Sequence, residues 1–441
     1  MIIYNNENNT NTVLLKKQPK VYKDEKELID WLNYDINIQK SCKEPYYISL
    51  THQLDETTAN IGNDSNIIEI NFEFDFQVIK DKVYGIENYK LNFKNIIFNK
   101  KVFFENIHLH NEVFFNNTEF KSEINFSNIA YNENLYFNNS IFHNELSFIN
   151  SKFYGNVYLN ETIINGNINI KNSLIASNMF LNNIKINNNI IFKEIIFKDN
   201  NSYLSIKNEN SKKNKINNFY FTNVLIDSVI DLQNIEVEEA DFKGSVINGG
   251  LINPVNFKVH KFANRESALF LKNEAYARNN AIDALKYKAK EIECHKDDLM
   301  KSAKDIIQNK EYSFTKKIKE LYKIVGDIAS IYLSSLYSDN GQNWIKALFM
   351  TILITALCFT VFYIPDLTDS NIIRLYYRNL FPELIKYFIP TDYSLIIKYA
   401  ASKLNLFLKT FGVLVYFLEK ILFWYGSVQT VQAFRKFAKG A

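Results

Sequence analysis

The sequence predicts a β-solenoid, followed by a helical region and a membrane-embedded end. Three observations predict it. Large apolar residues return every eleven positions through the first half of the chain. From residue 265 the apolar spacing changes to a helical one. An 18-residue stretch without charge, "ALFMTILITALCFTVFYI" (347–364), lies near the end.

The chain has 441 residues, long enough for two or three domains, with 51 basic and 48 acidic residues and a formal charge of +3. That balance does not point to nucleic acid. Cys42, Cys294 and Cys358 stand far apart and form no CxxC, which fits a reducing compartment better than a disulfide framework. The first twenty residues lack a basic region followed by an apolar core, so no cleavable signal is expected.

Residues 1–65 read as an N-terminal cap region, with a short amphipathic helix at "DEKELIDWLN" (24–33). The alternating stretch "IIEINFEFDFQVI" (67–79) reads as a strand covering the first coil, because a solenoid end leaves backbone groups unpaired.

The repeat itself is read over 66–254. Cut every eleven residues from Phe93, the first position holds Phe104, Phe115, Phe126, Phe137 and Phe148, then Leu159, Ile170, Leu181 and Phe192. The sixth position holds Phe98, Leu109, Phe120, Tyr131, Phe142, Phe153 and then mostly Ile. Helical packing needs apolar residues three and four apart. Here the large side chains alternate at five and six, each with a smaller apolar or β-branched residue two places before it. A separation of two is strand spacing. Each half-unit is therefore a very short strand followed by a turn.

The third position supplies that turn: Asn95, Asn106, Asn117, Asn128, Asn139, Asn150, Asn172 and Asn183, with Glu161 and Glu194 as exceptions. Asn tolerates left-handed backbone angles, and its amide can bond locally. In register these Asn side chains are expected to form a ladder. Two units, 22 residues, make one four-sided turn, and coils stack ~4.8 Å apart, so ten units give a rod of roughly 24 Å. No single coil can bury its own rings; stacking makes the core.

With these residues in place, the sequence resembles the pentapeptide-repeat family, in a membrane-anchored form with two C-terminal spans. The resemblance covers roughly 72–253. It implies a right-handed parallel quadrilateral β-helix. The family's usual A(D/N)LXX unit is altered here: Phe or Ile replaces the central Leu, and five-then-six replaces strict five. The pattern breaks at "KDNNSYLSIKNENSKKNKINN" (198–218) and resumes at Phe221, Val224 and Ile226. Some members of the family imitate DNA, which needs a strongly negative rod; between 93 and 202 nine Lys cancel nine Asp and Glu.

Residues 255–340 read as a helical connector. Asn279-Asn280 is the expected turn between two antiparallel helices, with Ala268, Leu271 and Ala275 facing Ala281, Leu285, Ala289 and Ile292. A basic helix follows at about 315–336. Residues 344–365 then read as a first transmembrane helix, anchored by Trp344, Lys346 and Tyr363. Residues 366–403 form an interfacial loop, whose "RLYYRNLFPELIKYFIP" is expected on the far membrane surface. Residues 404–431 read as a second span and 432–441 as a basic tail. The end of the chain, "YGSVQTVQAFRKFAKG" (425–440), also resembles the end of certain bacterial membrane proteins that join pentapeptide repeats to two spans. Lysines before the first span, and Arg435, Lys436 and Lys439 after the second, place both termini in the cytoplasm of a bacterial inner membrane.

Glu419 and Lys420 are the candidate intramembrane polar pair. A charge near mid-bilayer costs ~2.5–3.5 kcal/mol. Neighbours on a helix point about 100° apart, so each is expected to find its partner on another helix, pointing to a homo-oligomer. The competing expectation is that Lys420 reaches an interface. His108 and His110 flank an inward Leu109 and read as solvated. Cys294-His295 lacks an orienting carboxylate. No phosphate-cradling Gly loop and no Ser/His/Asp arrangement is found, so no catalytic residue, cofactor or metal is expected. "NNT" (116–118) and "NNS" (138–140) match glycosylation acceptors only by coincidence in a cytoplasmic repeat. The expected role is a membrane-anchored scaffold that binds a protein partner, without nucleic acid. The alternative is an oligomeric pore.

Overall fold

The computed structural model describes residues 20–41, 47–49, 68–86, 90–198, 202–209, 214–309, 312–363, 382–389, 391–400 and 406–438. Two compact units divide at Lys261/Phe262.

The first unit is a parallel β-solenoid of about seven turns over residues 91–262. Its strands, most of two to five residues, fall into four parallel sheets. Partners lie 22 residues apart: Phe104 opposite Phe126, Phe126 opposite Phe148, Phe120 opposite Phe142. The eleven-residue spacing therefore corresponds to half a coil. Phe104, Phe115, Phe120, Phe126, Phe137, Phe142, Phe148 and Phe153 are all buried. Their rings form parallel columns: Phe93, Phe115 and Phe137 stack at 4.9 and 5.0 Å, and Phe104, Phe126 and Phe148 at 5.2 and 5.0 Å. Between columns the contacts are edge-to-face, as between Phe104 and Phe115 at 5.6 Å and 89°. Both geometries suit the ring quadrupole. Burying each such ring contributes ~1.5–3 kcal/mol.

The turn residues adopt the backbone that their position demands. Asn95, Asn106, Asn117, Asn128, Asn139, Asn150, Glu161, Asn172, Asn183 and Glu194 all have φ between 49° and 60°. The ladder, however, is mostly one residue earlier than expected. Of the five Asn from 106 to 150, Asn128 donates its amide to Asn106 Oδ1 at 3.0 Å. The longer ladder runs through Asn116, Asn138, Asn160 and Asn182, where the Oδ1 of each of the first three accepts the backbone N–H of the next, one coil on, at 3.0 to 3.1 Å. A side chain just before the left-handed residue lies along the axis and so reaches the next coil. The residue after each left-handed turn is small and hydroxylated in several coils. The buried hydroxyls of Thr118, Ser140 and Thr162 donate to the carbonyls of Phe93, Phe115 and Phe137. These bonds satisfy carbonyls inside an otherwise apolar corner.

Three boundaries differ from expectation. The 67–79 stretch is not one strand: Ile68–Ile70 and Phe74–Asp75 are strands, and Phe76–Lys82 is a helix. Asp75 accepts from Gln77 N at 2.9 Å and starts that helix, as an N-cap does. Phe76 then stacks on Phe104 at 5.0 Å, covering the first coil. Second, the 198–218 irregularity does not interrupt the stack. The partner spacing rises to 25 at Met179/Leu204 and 29 at Phe192/Phe221, then becomes 21 at Leu225/Val246. The stack continues through the change of spacing because register is set by the buried rings. Third, the solenoid passes Pro254, which lies within the Leu251–Val255 strand; Lys258–Phe262 follows as another. Leu251–Val255 is an edge strand, where proline's missing N–H goes unused.

At the N-terminal side, Glu25–Ser41 is a helix that buries Leu28, Ile29, Trp31 and Leu32. The rest of the 1–65 cap lies mainly outside the described residues.

The second unit is helical. Arg265–Ala277 and Ala281–Gln308 pack together around a left-handed Asn279, and Asn280 caps the second helix. Ala268, Leu271 and Ala275 are buried on the first helix. The facing residues on the second are Ala284, Tyr287, Ala289 and Glu291, with Ala281, Leu285 and Ile292 only partly buried. Glu291 is tolerated there because Lys272 Nζ lies 2.6 Å away and Arg265 Nη2 3.2 Å away. Phe314–Ser338, Trp344–Tyr363, Ser394–Ala400 and Leu406–Ala438 complete the helices named here, with a further helical stretch at 382–388.

Candidate functional site

Trp344–Phe362 is the one helix, among the described residues, long and apolar enough to cross a membrane. The second expected span is not a second such helix. Leu406–Ala438 is 33 residues long and carries Lys409, Glu419, Lys420, Arg435 and Lys436. The two helices nonetheless pair along their length. Trp344 meets Phe434 at 5.7 Å and Phe362 meets Tyr416 at 5.8 Å, so they run antiparallel. Gly426 allows the close approach midway: a Cβ there would sit 2.1 Å from Thr351 Oγ1 and 2.6 Å from Tyr337 Cε1.

Both helices turn their large apolar side chains outward. Ile345, Leu348, Phe349, Ile352, Leu353 and Leu357 are exposed on the first. Phe407, Phe411, Leu414, Phe417, Leu418, Ile421 and Trp424 are exposed on the second. Only 28% of the first is buried, unlike the core helix of a soluble protein.

Polar groups occupy the inside of this pair. Ser338 Oγ donates to Gln429 Oε1 at 2.7 Å, and Tyr337 Oη donates to the Leu422 carbonyl at 3.2 Å. Thr351, Thr355 and Gln429 are buried. Glu419 is fully buried and Lys420 nearly so. Contrary to expectation, the two pair with each other: Lys420 Nζ lies 3.2 Å from Glu419 Oε2. The long Lys stem bends back far enough to span the 100° offset. Thr355, on the facing helix, is the other polar neighbour of the Glu419 carboxyl.

Lys420 has further partners. Its ammonium donates to the carbonyls of Tyr387 and, at 3.3 Å, Ile389. It also sits 4.9 and 4.8 Å from the ring centroids of Tyr387 and Tyr416. The two carbonyls lie at the end of the 382–388 helical stretch, where backbone acceptors lack intrahelical donors. A cation there satisfies them and complements the helix dipole. Tyr416 Oη donates to the Asp392 carbonyl in the same break between helices. Phe359, Phe362, Tyr387, Leu395 and Tyr416 form the apolar cluster beneath.

The described part of the expected surface loop thus packs on the helix pair instead of lying apart from it. Residues 366–381 lie outside the described residues. Glu419 and Lys420 sit one turn past Tyr416, which meets Phe362 at the end of the apolar helix. The pair is therefore close to the middle of the Leu406–Ala438 helix and displaced toward the Phe362 end of the apolar helix. Arg435 is exposed at the other end, with Lys436 in the following position; Lys439 lies outside the described residues.

Elsewhere, His108 and His110 are exposed, stacked at 4.3 Å, and bridged by the Asn132 amide at 3.3 Å on each side. No group of three metal-ligating side chains occurs among the described residues. The Cys294 thiol is pushed up to about 11 by burial, with Asp297, Asp298 and Glu293 adding to the effect, so it stays a thiol at neutral pH.

Sequence reasoning singled out Glu419 and Lys420 as charges within an apolar stretch. It missed Tyr387, Tyr416, Thr355 and Gln429, which lie far from each other along the chain. The available signal was the small set of hydroxyl and amide residues inside otherwise apolar helices. No protein-family model matches the chain, and no curated protein or solved structure is similar to it.

Proposed function

We propose that the chain is a membrane-anchored repeat protein, whose solenoid binds a protein partner at the cytoplasmic face of a bacterial inner membrane. In this reading the solenoid is a right-handed four-sided coil of the pentapeptide-repeat kind. Trp344–Phe362 crosses the bilayer and Leu406–Ala438 returns beside it, with both termini cytoplasmic. The observation that carries the reading is the outward apolar surface shared by the two paired helices, which in water would be an extensive exposed patch.

The recognition role rests on the solenoid's closed interior. Ring columns fill it, so a partner would have to use the outer rows of Asn, Lys and Glu side chains. Those rows are rigid, because coil-to-coil bonds hold their backbone. The pore reading is less well supported. Its main motive was an unpaired intramembrane charge seeking another subunit, and Lys420 already has Glu419 and two carbonyls within the chain.

The test is membrane retention and conductance of the full chain. It is expected to resist alkaline carbonate extraction, whereas Ile352→Asp with Leu357→Asp weakens retention. Electrically silent vesicles carrying the chain support the scaffold. Reproducible ion flux above that of empty vesicles overturns it in favour of a pore.

A further inference from the structure

We propose that the Phe314–Ser338 helix lies along the surface of an anionic bilayer as an amphipathic foot beside the membrane-crossing helix. The proposal rests on the membrane-anchored reading above and adds a second, electrostatic contact with lipid. Its carrying observation is an exposed apolar stripe, which the preceding helix reaches at Tyr332 through Lys296. Phe314, Ile318, Tyr322, Val325, Tyr332 and Leu336 recur at spacings of three, four and seven and are all exposed, Tyr322 by 83% and Phe314 by 78%. At 100° per residue they fall within an arc of about 80°. Only Tyr337 and Ser338, at the end of the helix, are buried.

The helix has a different face for its protein neighbour. Leu321, Ile324, Ile328 and Ile331 are partly buried. Where the two helices meet, Lys317 Nζ donates to the Ile307 carbonyl of the preceding helix at 2.7 Å, and Lys296 lies 5.5 Å from the Tyr332 ring centroid. The exposed stripe is therefore additional to the internal packing.

Charge selects the occupant. The helix carries Lys316, Lys317, Lys319 and Lys323 against Glu320 and Asp327. Lys316, Lys319 and Lys323 project on the polar side of the stripe. At 100° per residue they lie about 100° to 160° from the centre of the stripe, and lysines on the polar face opposite an apolar one are the pattern of a helix seated at the headgroup boundary. Lysines near an anionic leaflet add attraction that falls off within a Debye length.

Chain continuity supplies the second argument. Five residues, 339–343, separate this helix from Trp344, where the apolar helix begins. Asp339, Asn340 and Gly341 take left-handed backbone angles and reverse the chain there. Lys346 Nζ, in the first turn of the apolar helix, donates to the Ser335 carbonyl at 3.1 Å. The last turn of the foot is thereby fixed to the helix that enters the bilayer, and the stripe is held close to lipid.

The test uses the full chain with Cys42, Cys294 and Cys358 changed to Ser and an environment-sensitive fluorophore on Val325→Cys. It is reconstituted in phosphatidylcholine vesicles, with and without phosphatidylglycerol. The expected result is blue-shifted emission, quenched by lipid-attached nitroxide, only where phosphatidylglycerol is present. Changing Lys316, Lys319 and Lys323 to Gln is expected to lower the ratio of docked to free helix roughly fivefold per lysine. An emission unaffected by lipid composition, with no quenching, overturns the proposal. So does a blue shift that depends on protein concentration and ignores the lipid quencher, because a second copy would then cover the stripe. Carbonate extraction of the same vesicles separates the two readings. If the chain washes off, the anchored reading falls and this one with it. If the chain stays while the fluorophore remains in water, only the foot falls.

Discussion

The ammonium of Lys420 lies 3.3 Å from the carbonyl oxygen of Ile389 and 3.2 Å from the carboxylate of Glu419. One side chain therefore terminates a helical stretch and neutralises a buried acid. Removing it while Glu419 remains leaves an uncompensated charge and takes a donor from the Tyr387 carbonyl. Lys420→Met is expected to destabilise the hairpin by ~3–5 kcal/mol. The double change Glu419→Leu with Lys420→Leu should cost clearly less, because both charges then disappear together. Unfolding in mixed micelles, run as a double-mutant cycle, measures the coupling. Equal losses in the single and double variants would remove the capping role.

Gly426 sets how closely the two long helices approach. A side chain there must displace Thr351 and Tyr337. Gly426→Val is expected to separate the pair and lower its unfolding midpoint. Gly326→Val, at a helical position where a Cβ meets nothing within 4 Å, serves as the control for helix propensity. A thermal melt of the detergent-solubilised chain reads the difference.

Within the solenoid, Phe126 stacks between Phe104 and Phe148 and is fully buried. Phe126→Ala leaves a hole that neighbouring coils cannot fill, at a cost of ~3–5 kcal/mol. Tyr154→Ala, at a half-exposed ring, should fall within ±0.5 kcal/mol. Denaturant titration of the two variants tests whether the columns carry the stability.

Glu161 occupies a left-handed turn with φ of 58°, where most coils use Asn. A residue other than Asn, Asp or Gly meets its own carbonyl there, at a cost of roughly 1–2 kcal/mol. Glu161→Asn is therefore expected to stabilise the rod, by about 0.5–1 kcal/mol after losses elsewhere. Asn128→Ala should act in the opposite direction, since Asn128 also bonds Asn106. Denaturation midpoints decide the sign of each.

Asp231 gives the solenoid an acid-sensitive point. Burial alone would raise its carboxyl. The Lys207 ammonium at 2.8 Å, the Tyr203 hydroxyl at 2.7 Å and the Gln233 amide outweigh that and hold it below the usual carboxylate range. A folded-state pKa below the unfolded one contributes stability that is complete above the unfolded value, about 3.9, and lost as pH falls through the folded value. Asp231→Asn is expected to lower stability at neutral pH and flatten its decline in acid. Melting curves between about pH 2 and 6 follow this. An unchanged acid slope would show that Asp231 does not contribute.

Much of the solenoid was legible because its determinants are local and repeated. A large apolar residue every eleven positions, with Asn two positions after it in most units, specifies short strands, turn and stacking partner together. Register follows from that repetition, since a slipped coil would expose its rings. Helix starts at Asn264, Asn280 and Ser313 are equally local, each side chain capping a nearby backbone N–H. The location of the ladder was less legible, because reach along the axis depends on side-chain direction one residue away.

The hairpin was decided differently. Composition identified Glu419 and Lys420 as costly charges, and their adjacency argued against pairing. Only the packing of residues 382–400 against the helix pair supplies the carbonyls of Tyr387 and Ile389, and only the facing helix supplies Thr355. Those partners lie about thirty and sixty residues away in a region without repetition, so no local rule assigns them. The sequence by itself determined which residues must leave water; the tertiary structure decided which polar groups meet inside, because desolvated charges take whatever partners the chain brings within bonding distance.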